Sequence, residues 1–323
     1  MATQSDYGKA FEYACLQAIN DTYSPSQPVE IVDSPQFNTA QAKFDSLALA
    51  EKADLYSGAL AAIRIIGKLE PQLFYHGDNV PLYLSIQADA AGIAGDVRDV
   101  LCLRKGNNWE MGISCKHNHE AVKHSRLSAT IDFGKQWFGK KCNQSYFDAV
   151  TPLFNELKDI RDAGRAANKK NLWRDMPDKA ERYYVPILNA FMEELRRLDK
   201  ENPGEIPSLL IQYLIGRNDF YKVITDDTHR CTKVQVINLY GTLHVKSGKH
   251  KAMTSINLLK LPKRFFHIGF KPDSDNTIEV ICDEGWNIAM RLHNASSEVE
   301  PSLKFDVKLE ALPSSIYTEV APW

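Results

Sequence analysis

Asp99 stands immediately before a short apolar run, Val100-Leu101-Cys102-Leu103, and Lys116 closes a second strand-like segment that begins at Trp109. Between them Arg104-Lys105-Gly106-Asn107-Asn108 has the composition of a tight turn, so the two segments read as a hairpin. An acid at the mouth of one strand and a lysine at the end of the next suit metal-assisted cleavage of a phosphodiester. The acid holds a divalent cation against the scissile phosphate, and the lysine orients the attacking water and offsets charge on the phosphorane. Side chains alternate along a strand, so Glu110, Gly112, Ser114 and Lys116 share one face of the second segment, while Met111, Ile113 and Cys115 share the other. Asp96 competes with Asp99 for the role of the acid. Asp99 is preferred because it abuts the apolar run. An acid and a lysine in these places also occur in α/β proteins of many kinds, so spacing alone does not decide the chemistry.

These residues need elements to hold them. Gly8 to Asn20 carries Phe11, Cys15, Ala18 and Ile19 at helical spacing, Asp45 to Leu69 continues a long Ala/Leu/Ile periodicity, and Pro81 to Ile86 reads as a strand ahead of the hairpin. Helices are expected again over Tyr146–Asn168, Asp178–Asp199 and Ile206–Ile215. After Phe220 the pattern turns to strands. Leu303, Phe305, Val307 and Leu309 alternate with charged residues, and Thr277–Cys282 pairs with Trp286–Leu292 across Asp283-Glu284-Gly285. The order predicts an α/β fold with two regions: a catalytic core with helical insertions over 1–220 and a β-rich DNA-recognition region over 221–323.

GDVRDV (95–100) followed by WEMGISCKHNHEAVKHSRLS (109–128) resembles the PD-(D/E)XK nuclease core, and more narrowly the HaeIII-type restriction endonucleases. GKAFEYA (8–14) resembles the Gly-x-x-x-Glu first helix of many such nucleases. The resemblance implies a mixed central sheet flanked by helices, Mg2+ as cofactor, double-stranded DNA as partner and a short palindromic target, GGCC for this type. It places Asp99, Ser114 and Lys116 in the catalytic site, with Glu12 approaching the metal, and makes Asp99, Asp96 and Cys115 the positions expected to hold the ion. The chain departs from the pattern at Ser114, where an Asp or Glu belongs. Another carboxylate must then replace it: Glu12, Glu120 or Glu110. Glu110 ranks last, because four residues of strand put it about 13 Å from Ser114. Glu120 would lie one turn past Lys116 if a helix starts near Asn118. The resemblance also implies a companion methyltransferase acting on the same site without necessarily binding this chain, and either a homodimer on the palindrome or a monomer.

Charge is unevenly distributed. The 323 residues carry a net charge of only -2, yet Arg230 to Pro272 holds nine Lys/Arg and no acid, followed by an acidic stretch over 273–310. Lys116 to Lys141 carries six bases against two acids and reads as a backbone-binding helix. Lys123, Arg126, Lys246, Lys249, Lys251 and Arg264 are the expected DNA contacts, with His244 to Lys251 as a flexible, donor-rich loop. His117-Asn118-His119 spells HNH by coincidence, and His119 and His124 lie too far around a helix to converge on a metal.

Composition sets the outer bounds. With 44% hydrophobic and 25% charged residues the chain is a folded one. Six cysteines without a CxxC pair argue against structural zinc and for reduced thiols. The start lacks a signal-peptide pattern and no apolar run reaches the ~18 residues of a membrane span, so a cytoplasmic location is expected. Two other functions fit the same residues: a junction-resolving or repair nuclease with the same core, and a DNA-binding protein in which Ser114 marks an inactive site. The length beyond Lys116 favours sequence-specific cutting over the first.

Overall fold

The computed structural model describes residues 2–74, 80–88, 95–119, 122–247 and 250–323. Helix α1 (Gln4–Tyr23) starts at Thr3, whose hydroxyl accepts from the Asp6 amide while the Asp6 carboxylate accepts from the Thr3 amide, a reciprocal cap. Its buried stripe, Phe11, Ala14, Cys15, Ala18 and Ile19, matches the expected periodicity. The run expected from Asp45 to Leu69 is one helix that begins four residues later, at Leu49. α2 (Pro35–Asp45), capped by Ser34, precedes α3 (Leu49–Leu69), because Ser46 and Leu47 close the first helix before the second begins.

The chain forms two compact units that are interleaved in sequence: 1–120 with 216–259 and 315–323, and 121–215 with 260–314. The contiguous division expected at 220/221 falls at the first residue of a strand of the first unit.

The first unit is built on a seven-stranded mixed sheet in the order β1 (Val29–Ile31), β2 (Leu82–Ile86), β3 (Val100–Arg104), β4 (Trp109–His117), β6 (Phe220–Asp226), β7 (Cys231–Ile237) and β12 (Thr318–Pro322). β2, β3 and β4 are antiparallel neighbours, and the expected hairpin is present with Cys102 opposite Met111. β4 and β6 run parallel, so Ser114 is level with Lys222 and Lys116 with Ile224. One sheet face is apolar. Val100, Cys102, Met111, Ile113, Cys115, Tyr221 and Val223 join Phe11 and Cys15 of α1 and Ile63 and Ile66 of α3 in a single core. Burying such side chains stabilises by about 1.5–3 kcal/mol each and fixes the register, since a slip of one residue would turn the whole set outward.

The second unit carries an antiparallel sheet ordered β5 (His124–Ser128), β11 (Ser302–Ala311), β10 (Asn287–His293), β9 (Thr277–Cys282) and β8 (Phe265–Phe270), together with helices α4 (Gln144–Ala166), α5 (Val185–Glu201) and α6 (Ile206–Ile215). Phe133, Trp137, Phe191 and Phe305 interlock in its core, with ring centroids 4.6–6.3 Å apart. The basic stretch after Lys116 is not the expected helix. Asn118 takes a left-handed backbone (φ 55°), and Leu127 and Ser125 alternate into the core of a strand whose register sets Leu127 opposite Leu303. Among the described residues no helix is long and apolar enough to cross a membrane.

Candidate active site

The hairpin delivers its acid and its lysine to one point. Asp99 Oδ2 accepts from the Cys115 amide at 2.7 Å, lies 3.4 Å from Ser114 Oγ, and is 3.5 Å from Lys116 Nζ. The main chain around it is tied in from both sides, by Asp99 N to Ile113 O (2.8 Å) and Gln87 N to Asp99 O (2.9 Å). Asp99 and Lys116 keep about a quarter and a fifth of their side-chain surface exposed, so the pair is open to solvent, whereas Ser114 is buried. The arrangement is a braced carboxylate with a cation beside it.

Glu12 comes to the same neighbourhood from α1. It is buried, paired with Lys9 at 3.0 Å, and its negative field reaches the Cys115 thiol together with that of Asp99. Burial pushes that thiol well above its ordinary range, and a hydrogen bond with Cys15 and the two carboxylates push it further. The Cys115 thiol is buried in the apolar core, and sulfur is no ligand for an oxygen-seeking ion such as Mg2+, which removes this side chain from the expected metal-holding set. Asp96 is also committed elsewhere. Arg98 grips both its oxygens at 2.8 and 2.7 Å, and Gln87 adds a bond at 3.0 Å. Burial raises the Asp96 pKa, but the Arg98 and Gln87 bonds outweigh it and the group ends below its usual value. Glu110 completes this clamp by pairing with the other side of Arg98 at 2.5 Å. Gly112 makes the clamp possible, because a Cβ there would overlap the Arg98 side chain that lies across it. Glu120 lies outside the described residues.

For Mg2+ the fit rests on oxygen donors. The ion keeps several waters and needs only one or two carboxylates, and Asp99 and Glu12 are the carboxylates here that would suit it. Among the described residues no cluster of three His, Cys, Asp or Glu side chains forms a ready-made cage.

The end of β4 is locked. His117, buried at 4% exposure, meets Asp227 at 2.8 Å and stacks on Tyr7 with centroids 5.2 Å apart. Asn118 donates to the Asp227 carboxylate at 2.9 Å and accepts from its amide at 2.9 Å. The HNH letters therefore hide a structural tie between β4 and the β6–β7 turn, one residue beyond Lys116.

Comparison with known proteins decides the family. The family model described as HaeIII restriction endonuclease matches residues 8–313. The chain is 40% identical over 320 residues, 99% of its own length and 98% of the relative's, to "Type II restriction enzyme HaeIII" of Haemophilus aegyptius. This chain belongs to the HaeIII restriction endonuclease family. No solved structure matches it.

Within this HaeIII-family chain the expected DNA contacts differ in how free they are. Lys123 donates to Tyr213 O at 3.1 Å and lies 3.8 Å from the centroid of that ring, and Arg126 pairs with Glu300 and Ser302 across β5 and β11. Arg264 is exposed, 3.6 Å from Asp283. Lys246 and Lys251 are exposed and their ammonium groups have no partner among the described residues. Lys249 lies outside the described residues. The loop expected to be flexible is held at its start, by His244 N to Glu70 and by Gln72 to Lys246 O, and just past its end, by Met253 N to Lys68 O.

Two basic residues were missed. Lys222, 5% exposed, interrupts the apolar run Phe220-Tyr221-Lys222-Val223-Ile224, and that interruption was a readable signal, but its place beside Ser114 depends on a register between strands more than a hundred residues apart. Arg217 gave no sequence signal at all.

Proposed function

We propose that this HaeIII-family chain is a Mg2+-dependent type II endonuclease that hydrolyses double-stranded DNA at GGCC, on a PD-(D/E)XK core formed by α1, β2, β3, β4 and β6. The observation that carries the reading is the convergence of Asp99, the Cys115 amide and Lys116 on one carboxylate oxygen at the open end of a hairpin. Asp99 would hold the ion, with Glu12 as the second carboxylate in place of the acid missing at Ser114. When bound, the ion offsets charge on the scissile phosphate and makes the attacking water more acidic. The protein's own part is orientation. The Cys115 N–H fixes the direction of the Asp99 carboxylate, and Lys116 sets a positive charge where negative charge builds on the phosphoryl oxygens. Ser114 keeps the space beside them small and polar. Exposed Lys246 and Lys251 contribute affinity through phosphate contacts.

Digestion of a sequenced plasmid, with the fragment ends read out, tests this directly. Discrete ends within GGCC are expected, lost in Asp99→Ala and Lys116→Ala while DNA binding persists. Discrete ends elsewhere would discard the target, cutting that survives either substitution would discard the site, and no cutting with Mg2+ or Mn2+ would leave a DNA-binding protein.

A further inference from the structure

On the first unit a cavity of about 550 Å3 opens beside the start of β4, lined by Arg98, Trp109, Glu110, Arg217, Asn218 and Tyr240 among others. Its charges are unequal in their freedom. Glu110 is taken by Arg98. Asp219, 2% exposed, is surrounded by donors: Leu239 N at 2.6 Å, Tyr240 N at 3.0 Å, Thr242 N at 2.8 Å and Thr242 Oγ1 at 2.9 Å. Both acids are thus committed to partners in place, whereas the exposed Arg217 guanidinium has no hydrogen-bond or ion-pair partner among the described residues. The cavity presents one uncommitted planar cation.

That cation is aimed by rigid structure. Gly216 takes φ 91°, a backbone that favours glycine, and packs against Gly95 and Val97. Arg217 N then donates to Gly95 O at 3.1 Å, and the stem of its side chain runs along Gly95. Across the cavity, the Asp219 hub holds the 239–242 turn so that Tyr240 stands 45% exposed. Glu110, at the cavity, and Ser114, at the active site, share one face of β4 about 13 Å apart at ~3.3 Å per residue. The cavity therefore lies on the same face of β4 as Ser114 and Lys116.

We propose that Arg217 is a base-reading residue: its guanidinium fork donates two hydrogen bonds to O6 and N7 of a guanine of the target, with Asn218 and Tyr240 framing the same base pair. This deepens the endonuclease reading and rests on it. The guanidinium is the side chain that matches guanine's major-groove edge bidentately, and lysine matches it less well.

The test is equilibrium binding, in Ca2+ to prevent cutting, of wild type, Arg217→Ala and Arg217→Lys to the mapped target duplex, to a scrambled duplex, and to targets carrying 7-deazaguanine at one guanine of each half-site. On the expected account wild type loses on the order of tenfold or more at one 7-deazaguanine position. Arg217→Ala binds the natural target on the order of ten- to a hundredfold more weakly, loses nothing further at that position, and keeps wild-type affinity for the scrambled duplex. Arg217→Lys falls between. Equal further losses in Arg217→Ala, or wild-type affinity of that variant for the natural target, would overturn the assignment even if the plasmid digest succeeds. Wild type that does not prefer the target over the scrambled duplex would also overturn the base-reading assignment, whereas the endonuclease reading stands or falls on the plasmid digest.

Discussion

Glu70 offers a perturbation whose size can be worked out. Its side chain is fully buried; Oε1 accepts from the Tyr221 hydroxyl and from His244 N, both at 2.8 Å, and Oε2 has no partner among the described residues. Burial raises its pKa from 4.5 to about 7, against the opposing pull of the His244 and Tyr221 bonds. Below pH 4.5 both folded and unfolded chains carry the neutral acid and the group costs nothing. Between pH 4.5 and 7 the unfolded chain releases the proton and the folded one retains it, so stability falls as pH rises, and above pH 7 the loss levels off. A shift from 4.5 to about 7, at 1.36 kcal/mol per pH unit, makes that loss about 3 kcal/mol. Glu70→Gln keeps the acceptor at Oε1 and cannot ionise. The stability of Glu70→Gln relative to wild type should therefore rise by about 3 kcal/mol between pH 4.5 and 8, whatever constant cost the amide nitrogen brings. Urea unfolding of both proteins across that range measures the difference, in which the other titrating groups cancel. A difference that stays constant with pH would refute the buried, neutral Glu70.

Gly112→Ala should drive Arg98 off the sheet and break its bridges to Asp96 and Glu110, with a loss of about 1–3 kcal/mol in denaturant unfolding; unchanged stability would mean that Arg98 does not lie there. Asp219→Ala removes the acceptor from Leu239, Tyr240 and Thr242, and hydrogen exchange at those three amides should quicken while the β4 amides stay protected. Equal exchange before and after would show the turn to be held otherwise. Lys251→Ala should lower the slope of log affinity against log salt by about 0.9, the value of one phosphate contact; an unaltered slope would take Lys251 out of the DNA interface.

The hairpin was legible because everything that makes it is local. Val100-Leu101-Cys102-Leu103, the turn at Asn108 and the alternation from Trp109 to Lys116 sit within twenty residues, and the structure reproduces them as β3 and β4. Helix α1 was legible for the same reason, through one apolar stripe. The failures are all non-local or concern charge. Counting bases over 116–141 suggested a helix where Asn118 and the Leu127–Leu303 register make a strand. Asp96 looked like a metal ligand until Arg98 was seen to hold both its oxygens, a contact that exists only because Gly112 leaves room. No periodicity announces Lys222 beside Ser114 or Arg217 at its cavity, since each is placed by chain that returns after a long excursion.

That excursion also governs when the enzyme can exist. During synthesis β4 leaves the ribosome more than a hundred residues ahead of β6, its parallel neighbour, an interval of roughly 5–20 s at about 5–20 residues per second. Until β6 and the Asp227 turn arrive, one edge of the lysine-bearing strand is bare and His117 and Asn118 lack their tie to Asp227. A chain that ends before β6 thus carries Asp99 and Lys116 without the parallel neighbour that completes the sheet beside them, and the end of β4 takes its final form only when most of the polypeptide has been made.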